Sequence, residues 1–223
     1  MKEDHKKGKF LPFPALIQAL CSTGGRSTAT LLGRPDGPFP ADRFRLKDGT
    51  IPRKIVFVLV DGMGESILRR LEPGSFLRKN RAETLLSVFP STTACAMTTA
   101  ATGLPPAAHG LPGRYSYIRE RDLRVNTLSF RTREGNILLT GENEKALHGP
   151  PVPLRRLYPF PSLIPAMEIP VFTVVPRVLM GSPFASYLFS DTPSAGYSSI
   201  QEGVDSIIAA AAGMGEKGYA FYY

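Results

Sequence analysis

One acidic residue in the sequence stands where an α/β protein could use it for chemistry. Asp61 directly follows the apolar run at residues 55–60 and precedes Gly62. Its carboxylate is therefore expected to project beyond the carboxyl end of a buried strand, a position that suits a hard metal cation. The alternative is that Asp61 only caps a turn or the following helix. A dinucleotide-binding loop is disfavoured, because Ile67 stands where the third glycine of that motif belongs.

A second segment, Ser91-Thr92-Thr93, stands at the predicted start of a helix over residues 92–102, with Ser91 as the predicted N-cap. The free N–H groups and the positive dipole of a helix start favour a phosphate group and an alkoxide. A threonine hydroxyl needs a base or a metal ion to become a good nucleophile, and no His or Lys lies beside Thr93 in the sequence. A divalent ion held partly by Asp61 would activate it. The alternative assigns Thr92 and Thr93 to capping and packing, and Ser91 and Thr92 are rival nucleophiles.

The elements that would position these residues alternate between apolar strands and helices, which predicts an α/β sheet. Four strands are predicted, at residues 55–60, 85–89, 171–175 and 219–223. The first is expected to be buried on both faces of a parallel sheet, and the last two are expected to lie in the core. Helices are predicted at residues 64–71, 92–102 (ended by Gly103) and 200–212, the last opened by a capping box from Ser199 to Glu202. Alternating segments within residues 114–140 predict a hairpin turning at 120–122, before a proline-rich loop at 148–165.

These elements predict a lead-in followed by one domain. Residues 1–50 are rich in Gly, Pro and charge and are expected to be loosely structured, whereas residues 51–223 are expected to form the N-terminal part of one catalytic domain, with a hairpin and loop excursion over about 114–165. The sequence stops within the last predicted core strand. We therefore expect the sheet to be truncated after a late core strand.

Composition narrows the class of protein. The 223 residues are 43% hydrophobic and 21% charged, which is typical of a globular protein. The net charge is +8, but the basic residues are spread out and interleaved with acids, so no nucleic-acid partner is expected. No apolar run is long enough to predict a transmembrane helix. Cys21 and Cys95 give no disulfide framework, which fits a cytoplasmic location, although the apolar residues 10–20 leave export open.

Three motifs together resemble one known family. Val60-Asp61-Gly62, the run Phe-Pro-Ser-Thr-Thr-Ala at residues 89–94 and the run Ala-Thr-Gly-Leu-Pro-Pro-Ala-Ala-His-Gly at residues 101–110 are similar to the type I phosphodiesterase/nucleotide pyrophosphatase family of the alkaline phosphatase superfamily. The resemblance implies an alkaline-phosphatase-like sheet with helices on both faces and a small phosphate-ester or nucleotide substrate. It implies two divalent metal ions of the zinc type, one of them bound by Asp61 and Thr93. Thr93 would attack phosphorus and form a covalent phospho-threonine that water hydrolyses.

Other residues set the limits of this resemblance. His109 corresponds to a family histidine that is not a ligand, so a structural role is expected, and Arg114 is either a phosphate contact or a surface residue. Cys95 lacks the Pro and Arg of a sulfatase motif. The family's later Asp and His ligands are absent from the sequence, whose histidines are His5, His109 and His148. The alternative function is therefore a non-catalytic phosphate-binding or interaction protein. The leaving group and the oligomeric state are not indicated.

Overall fold

The computed structural model describes residues 48, 52–81, 84, 86–133, 153–167 and 169–223. The predicted lead-in, apart from residue 48, and the start of the proline-rich loop lie outside the described residues. The strands are β1 (Lys54–Val58), β2 (Tyr115–Ile118), β3 (Leu123–Asn126), β4 (Arg131–Thr132), β5 (Val171–Pro176), β6 (Ser194–Tyr197) and β7 (Gly218–Tyr222). The helices are α1 (Glu65–Leu68), α2 (Phe76–Lys79), α3 (Thr93–Thr102), α4 (Pro106–His109), α5 (Pro183–Phe189) and α6 (Ile200–Gly213). Short 3₁₀ turns span Arg119–Arg121, Leu154–Arg156 and Arg177–Leu179.

The main sheet has four parallel strands in the order β1-β7-β5-β6. The strand that comes last in the sequence thus lies between β1 and β5. Side chains of β7 alternate between two cores, because Phe221 packs with residues of α3 and α5, whereas Ala220 packs with Ile207 and Met214 at α6. Helices therefore cover both faces of the sheet, as predicted, and the α/β class is confirmed.

The rings on β7 connect the strands with the helices. Phe221 stacks on Phe57 of β1, with ring centroids 5.6 Å apart, and contacts Phe189 of α5 at 5.4 Å. Phe221 is 1% exposed. Such aromatic pairs contribute about 0.5–1.5 kcal/mol each beyond the burial of apolar area.

The prediction that β1 is buried on both faces is wrong. Ile55 and Phe57 pack against the main core, but Val56 and Val58 are 41% and 49% exposed. Within the part of the chain that the structure describes, β1 is an edge strand that pairs with β7 alone. The continuous apolar run identified a strand correctly, but it could not show how far the helix on the second face would reach.

The predicted strand at residues 85–89 is also wrong for its described part, because residues 86–90 form a loop that contains a cis Phe89–Pro90 bond. Only Val88 is buried there, whereas Phe89 is 87% exposed. Pro90 has no N–H to donate to a neighbouring strand. One anchoring side chain holds this segment, rather than a ladder of backbone hydrogen bonds.

The remaining predicted elements are present. β2 and β3 pair antiparallel around the turn Arg119–Arg121, which is the predicted hairpin, and β4 pairs with β3. At the start of α6, the Ser199 hydroxyl accepts from the Glu202 N–H at 3.2 Å, while Glu202 Oε2 accepts from the Ser198 N–H at 2.7 Å. No helix among the described residues is long and apolar enough to cross a membrane.

Candidate active site

Asp61 lies in the turn that follows β1, at the carboxyl edge of the parallel sheet. The β1–β7 ladder continues one step beyond β1, since the Leu59 N–H donates to the Tyr222 carbonyl at 2.8 Å. The chain then turns sharply at Gly62, whose φ of 70° is a left-handed value that favours glycine. A Cβ at Gly62 would meet nothing within 4 Å, so the requirement for glycine there is conformational rather than steric. This turn leaves the Asp61 side chain exposed at the crevice.

Thr93 is the first residue of α3, and the N-cap is Thr92 rather than the predicted Ser91. The Thr92 backbone is extended (φ −101°) and its side chain makes no capping hydrogen bond. The helix ends at Gly103 in the left-handed conformation, as predicted. Most side chains of α3 are buried, which fixes the position of its first turn against the core.

The two residues predicted from the motifs are in direct contact. The Thr93 hydroxyl donates to Asp61 Oδ2 at 2.8 Å, although the two residues are 32 positions apart in the sequence. The pair joins the carboxyl end of β1 to the N-terminal turn of α3. The Thr93 hydroxyl thus lies next to a carboxylate and at a helix start, where N–H groups lack partners within the helix. Such an arrangement can receive a phosphoryl group.

A third residue, Tyr223, contacts the same carboxylate oxygen and was not identified from the sequence. It directly follows β7, and its hydroxyl donates to Asp61 Oδ2 at 2.8 Å. Burial, and then the hydrogen bond to Asp61, raise the pKa of Tyr223 to about 12, while the neighbouring Thr93 hydroxyl acts in the opposite direction. The phenol therefore keeps its proton at neutral pH and acts as a donor. Its only signal in the sequence was its place at the end of a predicted strand.

The rival nucleophiles, Ser91 and Thr92, make no hydrogen bond to Asp61 among the described residues. The Thr92 hydroxyl is buried, has no hydrogen-bond partner among the described residues, and lies 3.4 Å from where a Cβ on Gly113 would be. Ser91 is exposed on the loop before the helix. Of the three consecutive hydroxyls, Thr93 is the one that contacts Asp61.

His109 is part of the packing beneath the site. It is 2% exposed, and its Nδ1 accepts from the Leu111 N–H at 3.1 Å while its Nε2 lies 3.0 Å from the Thr99 hydroxyl. These contacts assign the proton to Nε2. Burial lowers the pKa of His109, so the neutral ring is favoured. Both ring nitrogens are engaged, which agrees with the structural role expected for this residue.

Two other residues from the sequence analysis lie outside the contact between Asp61 and Thr93. Arg114 stands just before β2 with an exposed side chain, and its carbonyl accepts from the Thr127 N–H at 2.8 Å. Cys95 is fully buried in α3, and burial raises the pKa of its thiol. An inert packing role suits this cysteine.

The donor atoms at the site do not amount to a complete metal centre. Asp61 supplies a carboxylate and Thr93 a hydroxyl, and no group of three His, Cys, Asp or Glu side chains in the described part of the chain could hold a metal ion. A catalytic zinc ion normally has three protein ligands. The described residues therefore fit part of such a site and not the whole of it.

Comparison with known proteins identifies the family of this segment. Residues 55–149 match the family model described as type I phosphodiesterase / nucleotide pyrophosphatase, whereas no curated protein and no solved structure matched the chain. The matched range includes most of β1, all of α3 and the small antiparallel sheet, and the observed α/β architecture is consistent with an alkaline-phosphatase-like fold. At the family level the match supports a phosphodiesterase- or pyrophosphatase-like hydrolase, of a kind that is typically metal-dependent. The match supports the family predicted from the motifs, and the segment with Asp61 and Thr93 is similar to the type I phosphodiesterase / nucleotide pyrophosphatase family.

Proposed function

We propose that the protein is a phosphoester hydrolase of the phosphodiesterase/nucleotide pyrophosphatase type, with Thr93 as its nucleophile. The observation that carries this proposal is the 2.8 Å hydrogen bond from the Thr93 hydroxyl to Asp61 Oδ2. It pairs a nucleophile with an acceptor for its proton at the start of a helix. The substrate is a small phosphate ester or nucleotide.

The proposed reaction has two displacement steps. The Thr93 oxygen attacks phosphorus while its proton passes to Asp61 Oδ2, and the bond from phosphorus to the leaving oxygen breaks with its electron pair on that oxygen. The unpaired N–H groups in the first turn of α3 stabilise the phosphoryl oxygens as charge develops. Water then attacks phosphorus and loses one proton to the departed leaving group or to solvent. The bond from phosphorus to the Thr93 oxygen breaks with its electron pair on that oxygen, which takes back the proton from Asp61.

We also propose that Asp61 and Thr93 are ligands of a divalent ion of the zinc type, one of the two that the family resemblance implies. A carboxylate oxygen and a threonine oxygen are suitable donors. Because these two residues fall short of a full ligand set, the steps above are assigned to the chain's own atoms.

The experiment that tests the proposal measures release of nitrophenol from bis(4-nitrophenyl) phosphate, with and without added zinc. We expect zinc-dependent turnover that Thr93→Ala abolishes and that Thr92→Ala retains. Mass spectrometry of the quenched reaction should detect a nitrophenyl phosphate group on the peptide that contains Thr93. Retained turnover in Thr93→Ala would show that another group attacks phosphorus.

The second candidate function is non-catalytic phosphate binding. It is favoured by one observation, namely that the described residues offer no group of three metal-ligating side chains. It predicts that inorganic phosphate binds to the wild-type protein and that no nitrophenol is released at any zinc concentration. Calorimetric titration with phosphate, alongside the hydrolysis assay, separates the two functions.

A further inference from the structure

One oxygen of the candidate site accepts two hydrogen bonds. Asp61 Oδ2 lies 2.8 Å from the Thr93 hydroxyl and 2.8 Å from the Tyr223 hydroxyl. The other carboxylate oxygen, Oδ1, accepts none from the described residues. Two donors on one oxygen restrict the direction of the carboxylate, and a rigidly held donor restricts it more than a mobile one.

Within the part of the chain that the structure describes, the Thr93 and Tyr223 hydroxyls are the groups that donate to the Asp61 side chain. Its side chain is exposed, and the turn at Gly62 follows directly. Thr93 cannot serve as the anchor, because the proposed reaction requires its hydroxyl to leave this hydrogen bond. An exposed carboxylate in a turn samples several rotamers unless a rigid neighbour selects one of them.

Tyr223 is such a neighbour. Its N–H donates to the Val174 carbonyl at 3.0 Å, and its own carbonyl accepts from the Tyr197 hydroxyl at 2.8 Å. These contacts bind its backbone to β5 and to the end of β6. The ring is half-buried against the main core. The phenol is therefore presented from the sheet itself, while Asp61 is presented from a turn.

We propose that Tyr223 is a positioning residue, which holds the Asp61 carboxylate so that Oδ2 faces the Thr93 hydroxyl. The proposal rests on the proposed function for its catalytic consequence, but the positioning itself is a property of the free protein. When Thr93 transfers its proton and attacks, the phenol still donates to Oδ2, so the carboxylate keeps its direction throughout the reaction. Tyr223 contacts neither the substrate nor phosphorus in this role.

The test compares Tyr223→Phe with a matched control. Tyr223→Phe removes one hydroxyl and keeps the ring that packs against the core. Tyr117→Phe is the control, because the Tyr117 hydroxyl also donates to an exposed carboxylate, Asp122 Oδ1, at the same distance of 2.8 Å but in the small antiparallel sheet. Both variants lose the same kind of contact, and only the first loses it at the site.

Two readouts are needed. Relaxation of the Thr93 Cγ2 methyl group in the free protein reports whether the contact between Thr93 and Asp61 is held, and it requires no turnover. We expect its order parameter to fall in Tyr223→Phe and to stay at the wild-type value in Tyr117→Phe. In the hydrolysis assay, kcat should fall by about 10- to 100-fold with KM little changed, which is typical for loss of a group that orients a reactive side chain.

The outcomes separate this inference from the proposed function. Unchanged methyl order and unchanged kcat in Tyr223→Phe would overturn the positioning role. If the wild-type protein hydrolyses nothing, the proposed function fails, but the methyl order still decides the positioning role. Should Tyr223→Phe fold poorly by circular dichroism, Asp61→Ala replaces it. That variant removes the oxygen that accepts from both hydroxyls, and a Thr93 methyl group that remains as ordered as in the wild type would then contradict the proposal.

Discussion

Replacing Thr92 and Thr93 separately with valine should produce opposite results, although the chemical change is the same. Each substitution exchanges a hydroxyl for a methyl group and keeps the branched shape at Cβ. The Thr93 hydroxyl donates to Asp61 Oδ2 at 2.8 Å, whereas the Thr92 hydroxyl is buried and has no partner among the described residues. Thr93→Val should therefore abolish activity, and Thr92→Val should leave it intact.

The magnitudes follow from these contacts. A hydrogen bond to an ionised acceptor contributes about 1.5–3 kcal/mol when it is protected from water. Asp61 is exposed and keeps the Tyr223 donor, so Thr93→Val should lower the free energy of unfolding by only about 1 kcal/mol. Thr92→Val removes a buried hydroxyl without a partner, and it should leave the free energy of unfolding unchanged or raise it by up to about 1 kcal/mol.

Turnover should diverge much more than stability. Loss of a nucleophile lowers kcat by about 10⁴-fold or more, whereas Thr92→Val should change kcat by less than about tenfold. Urea titration followed by tyrosine fluorescence measures stability, since the chain has no tryptophan to dominate the signal. Hydrolysis of bis(4-nitrophenyl) phosphate measures turnover. If Thr92→Val abolished turnover while Thr93→Val retained it, the register of α3 and the choice of nucleophile would both be wrong.

Two further predictions concern the packing that supports the site. Burial lowers the pKa of His109, so the unfolded chain binds a proton more readily than the folded protein. The free energy of unfolding should therefore decrease as the pH falls from about 6.5 towards the lowered pKa of His109. This dependence on pH should be weaker in His109→Gln. Equal dependence in the two proteins, measured by urea titrations between about pH 5 and 7, would contradict the prediction. Phe221→Ala removes a ring that is 1% exposed and contacts Phe57 and Phe189. It should lower the free energy of unfolding by about 3–5 kcal/mol, and a loss below about 1 kcal/mol would show that the described core is incomplete around β7.

The features that the sequence could reveal are those that depend on neighbouring residues. The strand before Asp61, the start of α3 and the left-handed Gly103 each follow from a short window of sequence, because dipole, cap and turn preferences are local. The contact between Asp61 and Thr93 could be inferred only because two such windows match the motifs of one family. Nothing local to residue 223 indicated that its hydroxyl would contact Asp61, 162 positions earlier.

The two wrong predictions, the burial of β1 and the strand at residues 85–89, also concern packing between distant segments. Whether Val56 and Val58 are covered depends on how far α6 extends across the sheet, which is a matter of packing between distant segments. The largely apolar segment at residues 86–89 was compatible with a strand, but in the structure it is a loop in which Val88 is the buried side chain. The hydrophobic period and the composition of a segment indicate which secondary structures it can form. Packing against neighbouring elements decides which of them it forms.

The position of β7 explains why the site depends on a strand so distant from Asp61 in the sequence. β7 is the one strand in the described structure that pairs with β1, and its last residue, Tyr222, accepts the hydrogen bond from Leu59 that fixes the backbone two residues before Asp61. The next residue, Tyr223, donates to the Asp61 side chain. The end of β7 therefore contacts both the backbone that leads into Asp61 and the Asp61 carboxylate itself. Thr93, in contrast, is placed by the burial of α3, so the contact between Thr93 and Asp61 depends both on the packing of α3 in the main core and on the pairing of β7 with β1. The predicted effects of Tyr223→Phe and Phe221→Ala thus differ in kind, because the first releases a side chain within a formed site, whereas the second weakens the packing that forms the site.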